Sequence, residues 1–299
     1  MIEEALGQIP ISLLASSLYA TAAVGLTLNY LVLRYADFAL GEYITVGCYV
    51  AALLTLSGLD PITAMIASGL SGATLAFLAD ELALKPLEGR GATALQVFIA
   101  TIGVSLLIRY VLSIVADLED LLFLSSGFRV VPLIYIGNRP LTNLHLLAVS
   151  VLVASVAALT YVSLRTKLGK GMRAVASNRD LAISSGIPVW RIRRFTRLLV
   201  GALSGLSGAL WAYYTSINPE SGWRLLLWVF AASIVGNFTS FPLTLLGGFV
   251  VGFSENLGMW AVSRTLGVPT AYKPLIPYVA IVAVLLYRYR MRFRGVFEA

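Results

Sequence analysis

Apolar residues dominate this chain in long runs, interrupted at intervals by short polar stretches. The runs fall near residues 11–33, 38–57, 61–83, 95–116, 144–164, 195–216, 224–237, 243–263 and 274–288. Several approach the ~20 residues that an α-helix needs to cross a hydrocarbon layer. Those at 38–57, 224–237 and 274–288 are short or rich in glycine, which marks them as broken or re-entrant candidates. The pattern predicts an all-α polytopic bundle of about eight or nine spans. No domain boundary is visible across residues 1–299.

Two polar segments stand out. Residues 117–144 carry Gly127, Pro132, Gly137 and Pro140 around two β-prone stretches, Arg129–Val131 and Leu133–Ile136. An ordered loop or hairpin is expected there, because a disordered linker would be more polar. The second segment, Thr166–Phe195, concentrates Lys and Arg more than any other stretch of its length. Its middle, Met172–Gly186, reads as one short helix: Ala-rich, free of proline, and stopped by Gly186 ahead of Pro188. A polar helix set between membrane spans is the pattern of a docking element.

Composition supports this reading. The chain is 58% hydrophobic and 12% charged, against about 25% charged in soluble domains. The net charge of +7 comes from basic residues in loops and at the tail, a topology signal rather than a nucleic-acid face. Retention of positive loops puts residues 166–194, Arg34, Lys85, Arg90, Arg288, Arg290, Arg292 and Arg294 in the cytoplasm. Glu3, Glu4, Asp117, Glu119 and Asp120 fall on the opposite side, with residues 117–144 extracytoplasmic. Cys48 is the sole cysteine, which excludes disulfides and a cysteine-based zinc site. The start is acidic where a signal peptide would be basic, so secretion is not expected.

Catalytic signatures are weak. The one Gly-Lys pair, Gly169-Lys170, does not sit in the G-x-x-x-x-G-K-[ST] phosphate cradle. Gly205-Leu206-Ser207-Gly208 matches a short intramembrane-protease pattern, but no histidine follows Ser207 to serve as its base. Gly201, Ser204, Gly205, Ser207 and Gly208 are better read as small residues that let helices approach. A similar small-residue composition at 20–50 and 200–212 hints at an internal repeat. His145, the single histidine, reads as a helix-start residue.

Ionisable residues inside apolar runs are costly and therefore informative. Glu255 lies near the middle of its run, either as a structural polar partner or as a pathway or gate residue. Glu42, five residues beyond Asp37, would sit deeper if Gly41 and Gly47 break the helix. Arg109 is expected to snorkel towards the outer surface. Aromatic residues such as Tyr35, Tyr43, Trp223 and Trp228 fall near span ends and receive no chemistry.

Four segments, in order, resemble the permease subunits of branched-chain amino-acid (Liv-type) ABC importers. Gly25-LTLNYLVLRYADFALGEYITVGCYV-Ala51 is similar to that family's opening signature, and Leu87-EGRGATALQVFIATIGVSLLI-Arg109 to its R-x-L-R-G-R … A-T-I-G-L-S stretch. Thr166–Ile187 resembles its T-x-x-G-x-A-x-R-A … A-x-x-x-G-I loop, and Ile234–Asn256 its V-x-G-G-x-G-S … G-x-x-E stretch.

The resemblance implies an ATPase-coupling loop at Arg173, Ala174, Asp180, Ala182, Gly186 and Ile187. Asp180-Leu181-Ala182 departs from the family's E-A-A core. Together with the buried-charge argument for Glu42 and Glu255, each with a structural role as the alternative, the candidate pathway or gate residues are Asn29, Asp37, Gly41, Glu42, Asn237 and Glu255. Gly236-Asn237 stands where a Gly-Gly is usual, and Phe241-Pro242 makes the following turn bulkier. Related permeases carry urea, short amides or sugars, so the substrate stays open.

By the same resemblance, the expected partners are a second permease subunit, two cytoplasmic ATP-binding subunits, an extracytoplasmic solute-binding protein and membrane lipid. ATP and Mg would be bound by the partner ATPases, with no cofactor and no metal in this chain. The expected location is a prokaryotic cell membrane, and the expected cargo a branched-chain or related amino acid. The rival reading is a stand-alone secondary transporter or channel with Glu42 and Glu255 as proton or ion sites.

Overall fold

The computed structural model describes residues 2–297, with side chains from Glu3 to Arg288. The tail arginines Arg290, Arg292 and Arg294 therefore lie outside the described side chains. The first helices are α1 (Ile2–Leu6), α2 (Gln8–Leu33), α3 (Leu40–Leu56), α4 (Pro61–Ala79), α5 (Lys85–Gly89), α6 (Ala94–Leu118) and α7 (Asn143–Arg165). They are followed by α8 (Lys167–Ser177), α9 (Arg179–Ser184), α10 (Val189–Tyr214), α11 (Ser221–Val235), α12 (Phe241–Phe253), α13 (Met259–Leu266) and α14 (Leu275–Phe297). π-helical turns over Asp80–Leu84 and Ser254–Gly258 join α4 to α5 and α12 to α13.

The expected helical bundle is present, but fewer helices meet the length for a full span. Among the described residues, six stretches are long and apolar enough to cross a membrane: Glu3–Leu33, Pro61–Gly89, Ala94–Leu118, Asn143–Arg165, Val189–Tyr214 and Phe241–Leu266. Leu40–Leu56, Ser221–Val235 and Leu275–Arg288 are shorter apolar helices. They correspond to the three runs that length and glycine content single out in the sequence.

α10 is the central helix, packed against α2, α3 and α4. Its small residues make the contact, as their spacing suggests. Ser68 Oγ donates to the Gly47 and Gly205 carbonyls at 2.6 and 2.7 Å, tying α3, α4 and α10 together. A Cβ on Gly205 would overlap the Ser68 backbone, so only glycine allows this approach. The outer helices α6 and α7 leave Leu95, Ile99, Leu107, Ile114, Leu146 and Val153 exposed, faces that suit lipid or another apolar surface.

Helix ends gather at two poles. Arg264 lies 3.7 Å from Glu4, and Tyr213 Oη donates to the Pro61 carbonyl at 2.6 Å. At this pole sits the expected hairpin, β1 (Pro132–Ile136) and β2 (Arg139–Thr142), antiparallel with Ile136 opposite Arg139. His145 starts α7 as read from sequence: its Nδ1 accepts the Thr142 N–H at 3.1 Å. At the other pole Arg34 donates to the Ala176 carbonyl and Arg179 to Glu88.

The basic loop corrects one expectation. Its middle is two helices, α8 and α9, rather than one over 172–186. Asn178 takes extended backbone and its side chain accepts from the Leu181 N–H at 3.0 Å, which ends α8 and caps α9. Gly186 does stop α9, with φ +77°. The Ile187 N–H reaches Ala182 and the Gly186 N–H reaches Ile183, both at 3.0 Å, the paired bonds of a Schellman stop.

Candidate functional site

Two groups of buried charge lie between the basic pole and the middle of the bundle. The first begins on α9. Arg179 is bonded to Glu88, and Glu88 also accepts from Arg193 on α10. Burial, and secondarily the nearby Arg193 cation, push the Arg179 guanidinium below its ordinary pKa. Arg193 grips Asp80 with two nitrogens at 2.7 Å each. Asp80 opens the π turn after α4, a local widening that places its carboxylate within reach of α10.

One helical turn further in, Arg197 is fully buried. It bonds Asp37 at 2.5 Å, Asn29 at 2.9 Å and the Tyr43 hydroxyl at 2.7 Å, with Asp80 3.6 Å from its Nε. Asp37 in turn accepts the Ala39 N–H at 2.9 Å, fixing the start of α3. An unbroken series of polar contacts therefore runs from the exposed loop helix α9 to the first turn of the short helix α3.

The second group is one turn along α3. Glu42 is fully buried, and Arg109 of α6 reaches its Oε1 with both Nη2 and Nε, at 2.6 and 3.0 Å. Ser105 donates to the same oxygen at 3.0 Å. The Arg109 guanidinium also lies 4.2 Å from the centroid of the Trp223 ring, a cation–π arrangement. This corrects the expectation that Arg109 snorkels outward: a buried carboxylate holds it inside.

The other pathway candidates separate. Asn29 and Asp37 belong to the Arg197 network. Gly41 is a packing residue, where an added Cβ would sit 3.1 Å from the Gly222 carbonyl on α11. Glu255 is distant from both groups, on the π turn after α12, and accepts from the Tyr19 hydroxyl at 2.8 Å. Asn237 is exposed at the end of α11, with φ +65°. Its N–H and that of Phe238 reach Ile234 and Ser233 at 3.0 Å, so Asn237 supplies the left-handed stop that a glycine would otherwise supply.

Of the loop residues singled out from sequence, Arg173, Asp180 and Gly186 are exposed, Ala174 and Ile187 half-buried, and Ala182 buried against the bundle. The largest apolar exposures on α9 are Leu181 at 64% and Ile183 at 55%, which the sequence reading passed over. It also passed over Asp80, Arg193 and Arg197. A signal existed: Arg193 and Arg197 are four apart and lead into the small-residue face of α10, where a solvated charge has no place.

Comparison with known proteins adds a second line of observation. Residues 9–285 match the family model described as the permease component of branched-chain amino-acid transport systems. A protein of Methanocaldococcus jannaschii assigned as the branched-chain amino-acid transport permease LivH is 31% identical over 281 residues, 92% of this chain and 88% of that protein. The high-affinity branched-chain amino-acid permease LivH of Escherichia coli is 27% identical, covering 90% of this chain and 89% of its own length. A solved inward-facing ABC transporter assigned to the metal-chelate type superposes with a TM-score of 0.54 at 15% identity, covering 94% of this chain and 87% of that one. That likeness shows a shared membrane-subunit fold.

Proposed function

The chain belongs to the family of permease components of branched-chain amino-acid transport systems, and from that premise we propose that it is the translocation subunit of an ATP-driven importer. It passes a branched-chain or related amino acid through a channel shared with a second permease subunit. ATP hydrolysis falls to two cytoplasmic subunits that also hold ATP and Mg. An extracytoplasmic solute-binding protein delivers the cargo to the hairpin pole, and the assembly sits in a prokaryotic cell membrane.

The observation that carries this reading is the α8–α9 elbow. Its second helix leaves Leu181 and Ile183 exposed while Arg179 ties its base to Glu88, from which Arg193 and Arg197 of α10 carry the series on to Asp80 and Asp37. Arg173, Ala174, Asp180, Ala182, Gly186 and Ile187 shape or flank that surface. A push on α9 is thereby passed to the start of α3 as a rigid-body displacement, the kind of motion alternating access uses. Asn29, Asp37 and Glu42 then lie along the moving element. A stand-alone carrier is not favoured, since such a carrier has no use for a clamped docking elbow.

Proteoliposomes holding the complete importer test the reading. Uptake of labelled L-leucine should require internal or external ATP on the α9 side and persist when a protonophore collapses the ion gradient. Uptake that follows the gradient instead would overturn it. Sidedness has its own check: an impermeant thiol reagent added outside should label Tyr135→Cys and spare Ser177→Cys. Both positions are exposed, Tyr135 in the hairpin and Ser177 at the end of α8.

A further inference from the structure

The basic loop and its flanks hold two populations of cation. Arg179, Arg193, Arg194 and Arg197 each meet a carboxylate. Arg165, Lys167, Lys170 and Arg173, around the junction of α7 and α8, form no ion pair among the described residues. All four are exposed. Lys167, Lys170 and Arg173 follow at three-residue spacing and share one side of α8, while Met172 and Val175 on the other side are buried. Arg173 is anchored across the end of α7, where one Nη donates to the Ser163 carbonyl. Its other nitrogens have no acceptor among the described residues.

A groove opens beside these cations. Its outer part, about 460 Å³, is walled by α7 from Val153 to Arg165 and by Leu245 of α12, and is apolar apart from Thr160, Tyr161 and Arg165. Its inner part, about 350 Å³, lies between α2, α7, α8 and the start of α12, with Leu28, Met172, Arg173 and Phe241 in its walls. The two parts adjoin at Thr160 and Leu164, which line both, and neither lining includes a carboxylate. Twelve residues of helix from Val153 to Arg165 cover ~18 Å, close to the ~15 Å of hydrocarbon in one leaflet. The groove is thus about one leaflet long, apolar along its length and cationic at its mouth.

We propose that this groove is a site for an anionic phospholipid of the leaflet on the basic-loop side. One acyl chain lies along Val153, Ala157 and Leu164. The phosphate takes Arg165 and the open nitrogens of Arg173, with Lys167 and Lys170 adding charge. Basic pockets between helices at this level hold anionic headgroups. Charge argues against a second copy of the chain as the occupant: a two-fold axis along the membrane normal brings its own basic α8 to the same depth, cation facing cation. Because Met172, Arg173 and Ala176 wall the inner part, the bound lipid rests against α8, the first half of the elbow. The site requires only a bilayer around the chain and is independent of the permease reading.

The test places a bimane dye on Ala157→Cys, in the groove, or on Ala154→Cys, exposed on α7 outside it. Cys48 is buried and stays unlabelled. The full chain is reconstituted in phosphatidylcholine vesicles with increasing shares of phosphatidylglycerol or phosphatidylcholine whose chains are brominated and quench the dye. At position 157, brominated phosphatidylglycerol should reach half-maximal quenching at a mole fraction at least ~5-fold lower than brominated phosphatidylcholine, the ratio worth one basic side chain near the surface. At position 154 the two lipids should agree within ~2-fold, and Arg165→Gln/Arg173→Gln should bring position 157 to the same agreement.

The unlabelled chain gives a readout free of the dye. Native mass spectrometry of protein purified from a membrane holding both lipids should show retained phosphatidylglycerol, most of it lost in Ala157→Trp, which fills the groove without changing its charge. Equal quenching by the two lipids at position 157, a preference that survives Arg165→Gln/Arg173→Gln, or one as strong at position 154 would each overturn the site. So would phosphatidylglycerol retained equally by Ala157→Trp. Position 157 unquenched by either lipid, with none retained by the unlabelled chain, would overturn it too and mark the groove as filled by protein.

Discussion

The two regions of buried charge resemble each other in composition and differ in what they connect. In the α9-to-α3 series Arg193 grips Asp80 with two nitrogens, and Arg197 is shared among Asp37, Asn29 and Tyr43. Its Nε, 3.6 Å from Asp80, has no hydrogen-bond partner among the described residues. In the Glu42–Arg109 pair three donors crowd one oxygen while the other has none. Each region thus holds one orphaned buried atom. The first ties the loop helix to α10 and the start of α3 and can transmit displacement, whereas the second joins only α3 and α6. Buried charge by itself is therefore no guide to role; the elements it ties together are.

The sharpest way to break that contrast is to unbalance the longer network. Arg197→Leu leaves Asp37 in the apolar interior without its cation, while Asp80 keeps Arg193. Removing one member of a buried pair costs roughly 3–5 kcal/mol, so the variant should lose most of its folded yield and unfold well below the parent on heating in detergent. Asp37→Asn/Arg197→Leu removes charge of both signs and should recover much of that loss. Equal thermal midpoints for the parent and Arg197→Leu would show that the network does not hold the fold.

A smaller effect on stability, but a large one on transport, is expected at the exposed end of the same series. Nothing lies within 4 Å of a Cβ built at Gly186, so space is available there. The obstacle is φ +77°, which costs a residue other than glycine roughly 1–2 kcal/mol. A β-branched side chain tolerates it worst, so Gly186→Val should undo the stop of α9 and turn Leu181 and Ile183 away from their docking surface. ATP-dependent uptake should fall at least tenfold with little change in the amount of protein in the membrane, while Gly186→Asn should keep most of it. Full uptake in Gly186→Val would separate α9 from coupling.

Much of this architecture was legible in the linear sequence because it is set by local patterns. Apolar runs mark the helices, and their lengths mark α3, α11 and α14 as short. Gly186 and the turn at Gly137 announce themselves, as do the β-prone strands around the latter. Asn178 was legible in principle, being a capping residue three before Leu181, but the surrounding alanines concealed the break. The partners of buried charges were not legible. Glu42 and Arg109 are separated by 67 residues and Asp37 and Arg197 by 160, and no periodicity encodes which carboxylate a distant arginine will meet. Arg109 read as a surface residue for that reason. Asn237 shows the converse: a departure from a glycine pattern looks like a change in the pathway until its φ of +65° shows that it preserves a turn.

Glu255 offers the finest test of the contrast, because it belongs to neither kind of site. It is 8% exposed, sits on a π turn and accepts one hydrogen bond from Tyr19 at 2.8 Å. Tyr19 in turn stacks on Trp228 with ring centroids 5.8 Å apart. Lys273, the nearby cation, bonds the Asn256 side chain at 3.0 Å instead of the carboxylate. The contact that matters is thus an acceptor for Tyr19, and an amide oxygen supplies it as well as a carboxylate. Glu255→Gln should leave uptake within about twofold of the parent and stability within ~1 kcal/mol, the net worth of a typical hydrogen bond. Glu255→Leu and Tyr19→Phe should each lose that bond, and the loss should not add when the two are combined, because they remove the same interaction. A severe transport defect in a normally assembled Glu255→Gln would show instead that the charge itself is used, and would move Glu255 from the packing of the bundle into the path of the solute.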